Sequence, residues 1–254
     1  MNMNFEPLSR HSPYVRVTLW ANAGVLIEGA GRSLLVDGLY RAEHSFFQAV
    51  PPSIRASWMA GQWPVDLLAF THLHRDHFHP QEVAAFLSRN PVKGGLLPAG
   101  GGALHIPTAV MEGPVGQLGL WSPLPEIEVR WCNTGHMGPQ AEGESNHCLL
   151  VQISGRAILL TGDADPTQKR GFQRLVADTP VDIALVNPLF FQGRGGITLL
   201  REVIRPRAVL LYHIPTRDRD PWGIGRMAER QQKRSSGEPF TVTVLNTPLQ
   251  SVLL

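Results

Sequence analysis

The stretch THLHRDH at residues 71–77 follows the apolar run VDLLAF at residues 65–70. The apolar run predicts a buried strand, so the polar stretch is expected where that strand ends. Imidazoles and carboxylates are common metal ligands. In this spacing one pair of side chains can reach one metal and the other pair a second. The stretch therefore predicts a metal-binding loop whose ligands are His72, His74, Asp76 and His77.

Three further ligand-type residues follow apolar runs later in the chain. His136 follows the run ending at Trp131, Asp163 follows ILLTG at residues 158–162, and His213 follows VLLY at residues 209–212. Sites in open α/β architectures lie at the carboxyl ends of strands, where such residues meet. The positions therefore extend the predicted loop into a site for two metals.

Length and composition indicate a globular protein with a sizeable core. The chain has 254 residues, of which 43% are apolar, and we predict one domain over residues 1–254. The formal charge is only +2, and the basic stretches at residues 205–207 and 231–234 lack interleaved aromatic residues. Binding to nucleic acid is therefore not expected. We expect a small-molecule substrate, and a homo-oligomer remains an open alternative.

The sequence favours a cytoplasmic protein. The first residues lack the apolar segment of a signal peptide, and no run reaches the roughly 18–20 apolar residues of a membrane span. The chain has two cysteines, Cys132 and Cys148, without a pairing pattern, which fits a reducing compartment. We interpret Cys148 as a core residue and expect no metal role for Cys132.

The first third of the chain predicts an antiparallel meander and then an irregular segment. The meander is formed by apolar runs at residues 15–20, 24–29 and 33–38, separated by turn-type residues. Residues 51–64 contain three prolines and two tryptophans, so we predict no regular element there and consider a lid.

Later elements alternate between helix and strand. We predict a helix at residues 80–90, which begins with proline, and a plain loop at the glycine-rich residues 94–104, which lack a phosphate-loop ending. Strands then give way to alternating βα units, which predict sheets with helices outside them. The predicted strands are residues 126–131, 147–153, 156–162, 181–187, 207–214 and 240–246, and the predicted helices are residues 172–178, 196–204 and 222–234.

The motif His-x-His-x-Asp-His, followed in order by His136, Asp163 and His213, resembles the metallo-β-lactamase fold superfamily. The opening TLWANAGVLIEGAGRSLLVDG (residues 18–38) also resembles this family's first hairpins, with Asp37 where a residue supports the metal loop. The resemblance covers residues 14–214. It implies an α/β fold of four layers, an αββα sandwich of two mixed β-sheets with helices on the outer faces.

The resemblance also implies a ligand set. It implies two divalent metal ions, most often Zn²⁺, with Mn²⁺ or Fe²⁺ as alternatives, since imidazole and carboxylate suit these ions. His147 competes with His136 as a ligand, but we favour His136 because similar members have this histidine further upstream. We interpret His79 and His105 as surface or supporting residues. The implied ligands are His72, His74 and His136 for one metal, Asp76, His77 and His213 for the other, and Asp163 as the bridge between them.

The activity implied by the resemblance is hydrolysis. Two metals can share a water, bring its pKa towards about 7 and direct it at an ester, lactone or phosphodiester. The chain looks most like the cytosolic lactonase and phosphodiesterase branches, such as ascorbate-6-phosphate lactonase-like proteins. His74 argues against flavin-partnered oxygen reductases, which usually have Glu at this position. The alternatives on the same fold are an iron-dependent oxygenase, a non-catalytic metal-binding protein and a nuclease.

Four residues are expected to contact the substrate. Trp20 and Asn22 stand where similar sequences often have small residues, so they would shape the pocket. Arg194 and Arg217 lie in segments that follow predicted strands, and their guanidinium groups suit an anionic part of a substrate. The alternative is that Arg217, like Arg219, pairs with neighbouring surface acids.

Overall fold

The computed structural model describes residues 8–10, 12–42, 47–138, 141 and 143–254. Five α-helices lie in this part of the chain: α1 (Pro52–Met59), α2 (Pro80–Leu87), α3 (Lys169–Leu175), α4 (Arg194–Leu199) and α5 (Ile224–Arg234). A π-helical turn, Leu200–Ile204, continues α4. The strands are β1 (Arg16–Ala21), β2 (Gly24–Gly29), β3 (Arg32–Val36), β4 (Leu67–Ala69), β5 (Gly94–Pro98), β6 (Thr108–Met111), β7 (Leu118–Leu124), β8 (Ile127–Asn133), β9 (His147–Ile153), β10 (Arg156–Leu160), β11 (Ile183–Val186), β12 (Ala208–Leu211), β13 (Thr241–Val244) and β14 (Ser251–Leu253).

The strands form two seven-stranded mixed sheets. The first sheet has the order β14-β1-β2-β3-β4-β5-β6, and the second has the order β13-β12-β11-β10-β9-β8-β7. In the first sheet β14 to β3 pair antiparallel and β3 to β6 pair parallel. The second sheet repeats this arrangement, since β7 to β10 pair antiparallel and β10 to β13 pair parallel. The prediction of two mixed sheets is confirmed.

Each sheet buries side chains on both faces. In β2, Val25 and Ile27 belong to the core between the sheets, whereas Leu26 points to the opposite face. In β9, Leu149 lies in the same inner core and Leu150 faces outwards. Because successive strand residues point to opposite faces, strands covered on both sides are apolar along their whole length. This explains the unbroken apolar runs in the sequence.

The helices cover the two outer faces. Ile54 of α1 and Phe86 of α2 pack on the first sheet. Phe172 of α3, Leu199 of α4 and Ala228 of α5 pack on the second sheet. The four-layer αββα sandwich is therefore confirmed. Within the described ranges, no helix has both the length and the apolar composition needed to span a bilayer.

The prediction of an irregular segment at residues 51–64 is wrong, because α1 lies within it. A proline in the first helical turn loses no hydrogen bond, so Pro52 suits the start of α1. Ile54 and Trp58 are four residues apart and share the buried face. The ring centroids of Trp58 and Trp63 lie 5.3 Å and 4.4 Å from that of Trp20. The segment is therefore part of the packing of the first sheet and does not form a lid.

The glycine-rich residues 94–104 are also not entirely a loop, since their first five residues form β5. Gly95 allows close packing there, because a Cβ at this position would lie 3.2 Å from a methyl carbon of Leu104. The edge strands β6, β7 and β14 lie outside the predicted strands, and Leu120 of β7 is exposed. Helix α3 begins three residues earlier than predicted. An edge strand lacks the apolar pattern of a buried one, which explains these omissions.

The two cysteines are free, buried and directly opposite each other on β8 and β9. Both belong to the core of the second sheet's outer face. Burial raises the pKa of the Cys132 thiol to about 11. Both thiols are therefore packing residues and not candidate ligands.

Candidate metal centre

The loops after β4, β8, β10 and β12 bring seven ligand-type side chains together. Each of these loops follows the carboxyl end of its strand, as the sequence predicts. Within the described part of the chain, the ligand atoms form three groups whose members all lie within 4.8 Å of one another. These groups are His72, His74 and His136; His72, His77 and Asp163; and Asp76, His77 and His213.

The carboxylate of Asp163 lies at the centre of the cluster. Its Oδ2 atom is 4.0 Å from Nε2 of His72, 3.7 Å from that of His77, 3.5 Å from that of His136 and 3.6 Å from that of His213. His72 and His136 belong to the first group of ligands, whereas His77 and His213 belong to the third. One oxygen atom therefore faces both groups.

A tight turn divides the motif at residues 71–77 between these groups. The backbone N–H groups of His77 and Phe78 both donate to the carbonyl oxygen of His74, at 2.9 and 2.8 Å. The chain therefore reverses after His74. As a result His74 joins one group and His77 the other.

Asp37 and Thr71 fix the orientation of two histidine rings. Nδ1 of His77 donates to Oδ2 of Asp37 at 2.9 Å, and the Thr71 hydroxyl donates to the same oxygen at 2.6 Å. The hydroxyl oxygen of Thr71 then accepts from Nδ1 of His72 at 3.0 Å. With both Nδ1 atoms protonated, each Nε2 atom keeps a lone pair for a metal. Asp37 therefore supports the loop, as the resemblance implies.

His136 and His213 are held in the same tautomer by other acceptors. Nδ1 of His136 donates to the carbonyl oxygen of Met137 at 2.7 Å. Nδ1 of His213 donates to Oδ1 of Asn22 at 3.0 Å, and Nδ2 of Asn22 donates to the carbonyl oxygen of Asp76 at 3.1 Å. Four histidines therefore turn their Nε2 atoms towards Asp163, and each of these atoms would offer a lone pair to a metal once it carries no proton.

His74 differs from the other four histidines. Its Nε2 contacts Oε2 of Glu144, and its side chain is half-buried. A carboxylate only accepts hydrogen bonds, so this contact places the proton on Nε2 and leaves the lone pair on Nδ1. His74 would therefore bind a metal through the opposite ring nitrogen.

The electrostatics of the cluster favour positive charge between the rings. Burial would raise the pKa of Asp163, but the charge on His213 and hydrogen bonds from His136, His213 and His77 hold it well below its usual range. Burial would lower the pKa of His213, but Asp163 and Asp76 raise it to about 9. Burial and the neighbouring His77 lower the pKa of His72 well below its ordinary value, which keeps its ring neutral. The buried carboxylates thus stabilise positive charge between the rings, and a divalent cation would supply that charge in place of protons on the imidazoles.

Trp20 and Asn22, which were expected to contact the substrate, are both buried in the structure. Trp20 is fully buried in the core under α1 and has no surface for a substrate to touch. Asn22 is also buried, and its amide bonds both His213 and the loop at Asp76. The structure therefore makes Trp20 a packing residue and Asn22 a positioning residue.

The arginines differ in position. Arg194 is the exposed first residue of α4 rather than part of a loop. Arg219 pairs with Asp218 at 3.6 Å, as the surface interpretation expects. Arg217, in contrast, lines a cavity that begins at Ile214, next to His213.

Among the described residues, the other histidines, His79, His105 and His147, lie outside the three ligand groups. The backbone N–H and Nδ1 of His147 donate to the carbonyl oxygen of Thr71, at 2.9 and 3.2 Å. These hydrogen bonds hold the first residue of the stretch at residues 71–77 in place. The structure groups His136, and not His147, with His72. His79 precedes α2 and is buried, and His105 is exposed.

Three residues at the centre were not identified from the sequence. Glu144 contacts His74, Nδ2 of Asn187 donates to Oδ1 of Asp163 at 3.1 Å, and Oδ1 of Asn146 accepts from the backbone N–H of Asp163 at 2.9 Å. Asn187 ends the apolar run at residues 181–187, so the rule that located the ligands also identifies it. Glu144 and Asn146 carry no such signal.

Gly162 precedes Asp163 with a φ of +54°. A Cβ there would lie 2.6 Å from Oδ1 of Asn146 and 2.8 Å from Oγ1 of Thr71. Only glycine has both the conformation and the space at this position. This explains the glycine in the GDA sequence that carries the central carboxylate.

Comparison with known proteins shows the fold. No protein-family model matches the chain, and no curated protein matches it. The metallo hydrolase Igni18 from Ignicoccus hospitalis superposes with a TM-score of 0.61 and 14% identity over 95% of this chain and 98% of Igni18. The metallo-β-lactamase fold protein YhfI from Bacillus subtilis gives a TM-score of 0.60 and 14% identity over 95% of this chain and all of YhfI (100%).

A third similar structure is that of CmlA, a diiron β-hydroxylase from Streptomyces venezuelae. Its TM-score is 0.62 at 15% identity over 94% of this chain, which spans about half (54%) of CmlA. A metallo hydrolase and a diiron hydroxylase thus share this architecture, so the likeness by itself does not choose the reaction. Together with the two mixed sheets and the cluster at their edge, these matches show that the chain has the metallo-β-lactamase fold.

Proposed function

We propose that the protein is a hydrolase that uses two divalent metal ions, most often Zn²⁺, to cleave an ester, lactone or phosphodiester of a small molecule. The observation that supports this most directly is the position of Oδ2 of Asp163, within 4.0 Å of histidine nitrogens from both ligand groups. A carboxylate shared between two sets of ligands is the arrangement that a pair of adjacent metals requires.

The donor atoms fit such ions. Nε2 of His72 and Nε2 of His136 are buried, and neither atom makes a hydrogen bond of good geometry within the described chain, although Oδ2 of Asp163 lies 3.5–4.0 Å away. A buried polar atom without a partner is costly, and a metal bond satisfies it. Imidazole nitrogens with carboxylate oxygens are borderline ligands that suit Zn²⁺, Mn²⁺ or Fe²⁺. The space between the groups is therefore built for cations.

The chain's own residues divide the work. When bound, two such ions lower the pKa of a shared water to about 7 and stabilise negative charge on the oxygens of the reacting group. Asp163 lies between the two ligand groups, Asp76 and His213 supply ligand atoms of the third group, and the cavity begins at Ile214, next to His213. Asp37 and Asn22 keep His77 and His213 from turning. The fixed geometry lets the site act without reorganising its ligands.

The proposal predicts the metal content of the protein. We expect about two divalent ions per chain after purification with added Zn²⁺ or Mn²⁺, because seven ligands exceed what one tetrahedral ion uses. Elemental analysis measures this, and the variant His105→Ala, which changes an exposed histidine outside the ligand groups, should bind the same amount. A protein that binds none would contradict the proposal.

Activity is tested on a panel of esters, lactones and phosphodiesters with the metal-loaded protein. We expect turnover of at least one class, and its loss in His136→Ala. No turnover of any class, combined with bound iron and substrate-dependent oxygen consumption, would instead indicate the iron-dependent oxygenase. Bound metal without either reaction would indicate a non-catalytic binding protein.

A further prediction concerns the positioning role of Asn22. Asn22→Gly removes the acceptor for His213 and the donor to the carbonyl of Asp76, and glycine adopts the φ of +52° without strain. We expect metal affinity to fall about 10- to 100-fold, as for other losses of a ligand's hydrogen-bond partner. Competition with a chromogenic chelator measures the change.

Asn90→Ala is the matched control for Asn22→Gly. Asn90 is equally buried, and its amide also donates to backbone carbonyls, those of Trp58 and Phe86, but far from the ligands. This variant should lose stability and keep its metal affinity. An equal loss of affinity in both variants would show that Asn22 acts only through general stability.

A further inference from the structure

A polar cavity begins next to His213 along the chain. Its volume is about 560 Å³, and its walls include Ile214 and Pro215, the two residues that follow His213. Gln48 forms another wall, and the ring of the preceding residue, Phe47, lies 5.7 Å from the ring of His213. Consecutive Cα atoms are about 3.8 Å apart, so the cavity begins within one residue of a candidate metal ligand.

Two arginines from different elements face this cavity. Arg217 belongs to the 3-10 turn Arg217–Arg219, and Arg226 belongs to the first turn of α5. Neither forms an ion pair with another described residue, whereas the neighbouring Arg219 pairs with Asp218. Both guanidinium groups therefore keep their hydrogen-bond donors available.

The acids of the cavity do not neutralise these arginines. Both carboxylate oxygens of Asp220 accept backbone N–H groups at the start of α5, from Ile224 and Gly225, each at 2.8 Å. Asp220 is therefore engaged in capping the helix. Glu229 is the other acid of the lining, it is exposed, and it forms no ion pair among the described residues. The lining therefore contains two arginines without an ion pair among the described residues, Arg217 and Arg226, and one acid that is not engaged in capping, Glu229.

The cavity also offers a hydrogen-bond acceptor. Nε2 of Gln48 donates to the carbonyl oxygen of Asn246 at 2.7 Å, which fixes the orientation of the amide. Its Oε1 atom is buried and accepts no hydrogen bond from the described part of the protein. A buried acceptor of this kind is satisfied by a hydroxyl or an N–H of a ligand.

We propose that this cavity binds the anionic end of the substrate, with Arg217 and Arg226 holding a carboxylate or phosphate and Gln48 accepting from a hydroxyl. The planar guanidinium fork matches both kinds of oxyanion. The inference rests on the proposed hydrolase function, because it places the bond to be cleaved at the adjacent metals. In this proposal Arg226 takes the role that the sequence indicated for Arg194, because Arg194 does not line the cavity.

A binding experiment tests the cavity without depending on turnover. Inorganic phosphate and succinate are titrated by calorimetry into the metal-loaded protein and into the double variant Arg217→Gln/Arg226→Gln. We expect the dissociation constant of at least one of the two anions to rise by about tenfold or more, the size expected when charge-assisted hydrogen bonds are lost. The anion that is affected identifies the preferred oxyanion.

The matched controls are Arg219→Gln and Arg230→Gln. Both remove an exposed arginine from the same two elements, but neither residue lines the cavity. They should leave both dissociation constants unchanged. Equal dissociation constants in the wild type and the double variant for both anions would overturn the proposal. The two substitutions would not change the affinity of an anion that binds only at the metals.

A kinetic experiment links the cavity to catalysis. The probes are 4-nitrophenyl acetate and mono-(4-nitrophenyl) succinate, which share an aryl ester but differ in a terminal carboxylate. We compare kcat/KM for mono-(4-nitrophenyl) succinate with kcat/KM for 4-nitrophenyl acetate. The ratio of the first to the second should fall about tenfold or more in the double variant and stay constant in the controls. A constant ratio in the double variant would show that the arginines do not select anionic esters.

The two proposals fail in different ways. If the wild type hydrolyses neither these esters nor any member of the wider panel, the hydrolase function is wrong, and calorimetry alone decides whether the cavity binds anions. If the wild type hydrolyses esters but phosphate and succinate bind equally to all variants, the anion site is wrong and the hydrolase remains.

Discussion

Replacing Asp163 with asparagine is expected to abolish the activity and to lower metal content to at most one ion per chain. Asparagine has the same shape and can keep the hydrogen bond between Oδ1 and Asn187. The change therefore replaces the charged oxygen that faces four histidine nitrogens with a neutral amide nitrogen of similar size. We expect kcat/KM to fall by about a thousandfold or more, because both charge stabilisation and metal positioning are lost.

Two variants provide the comparison for Asp163→Asn. Asp165→Asn changes a carboxylate two residues away that bonds only the turn at Thr167, so metal content and rate should be retained. His147→Ala removes the rival ligand, which braces Thr71 but lies outside the ligand groups. Losses in Asp165→Asn or His147→Ala as large as those in Asp163→Asn would show that the central carboxylate is wrongly assigned.

Replacing Trp20 with alanine is expected to destabilise the fold by about 3–5 kcal/mol, the usual cost of removing a buried aromatic ring. The Trp20 ring is fully buried, stacks on Trp58 at 5.3 Å with an angle of 7°, and meets Trp63 edge-on at 4.4 Å. Its loss leaves a cavity between β1 and α1. Urea unfolding of the metal-free protein measures the change in the free energy of unfolding.

The controls for Trp20→Ala separate packing from substrate contact. Trp222→Ala removes an indole that is 63% exposed, and its effect should stay within about 0.5 kcal/mol. Trp20→Phe keeps most of the buried ring and removes an indole N–H that has no partner in the described structure, so it should be milder than Trp20→Ala. A stable Trp20→Ala protein with a raised KM would instead restore the substrate role expected from the sequence.

The candidate ligands could be predicted from the sequence because each one follows an apolar strand. The rule that functional residues lie at the carboxyl ends of strands depends only on chain order, and it also applies to Asn187. The inner strands could also be predicted from the sequence, because a strand buried on both faces is a continuous apolar run. β2 and β9 are examples.

The partners that orient the ligands could not be predicted in this way. Asn22 reaches His213 across 191 residues, and Glu144 reaches His74 across 70. The residues around Asn22 do not reveal whether its side chain lines a substrate pocket or orients a metal-binding histidine. The helix α1 was missed for a related reason, because prolines suggested a break while its stability comes from tryptophans that meet only in the folded protein.

The long separation between the ligands has a consequence for how the protein is made. His77 and His213 are 136 residues apart, yet their Nε2 atoms lie 3.2 Å from each other. At a synthesis rate of 5–20 residues per second, about 7–27 s pass between the appearance of the first ligands and the last. During that time the nascent chain contains the four candidate ligands of residues 72–77 without His213, and for the first 86 residues of it without Asp163. In the proposed two-metal site, the complete pair of ions could therefore be bound only after both sheets have been synthesised and have docked, so we expect metal insertion to follow folding and not to guide its first steps.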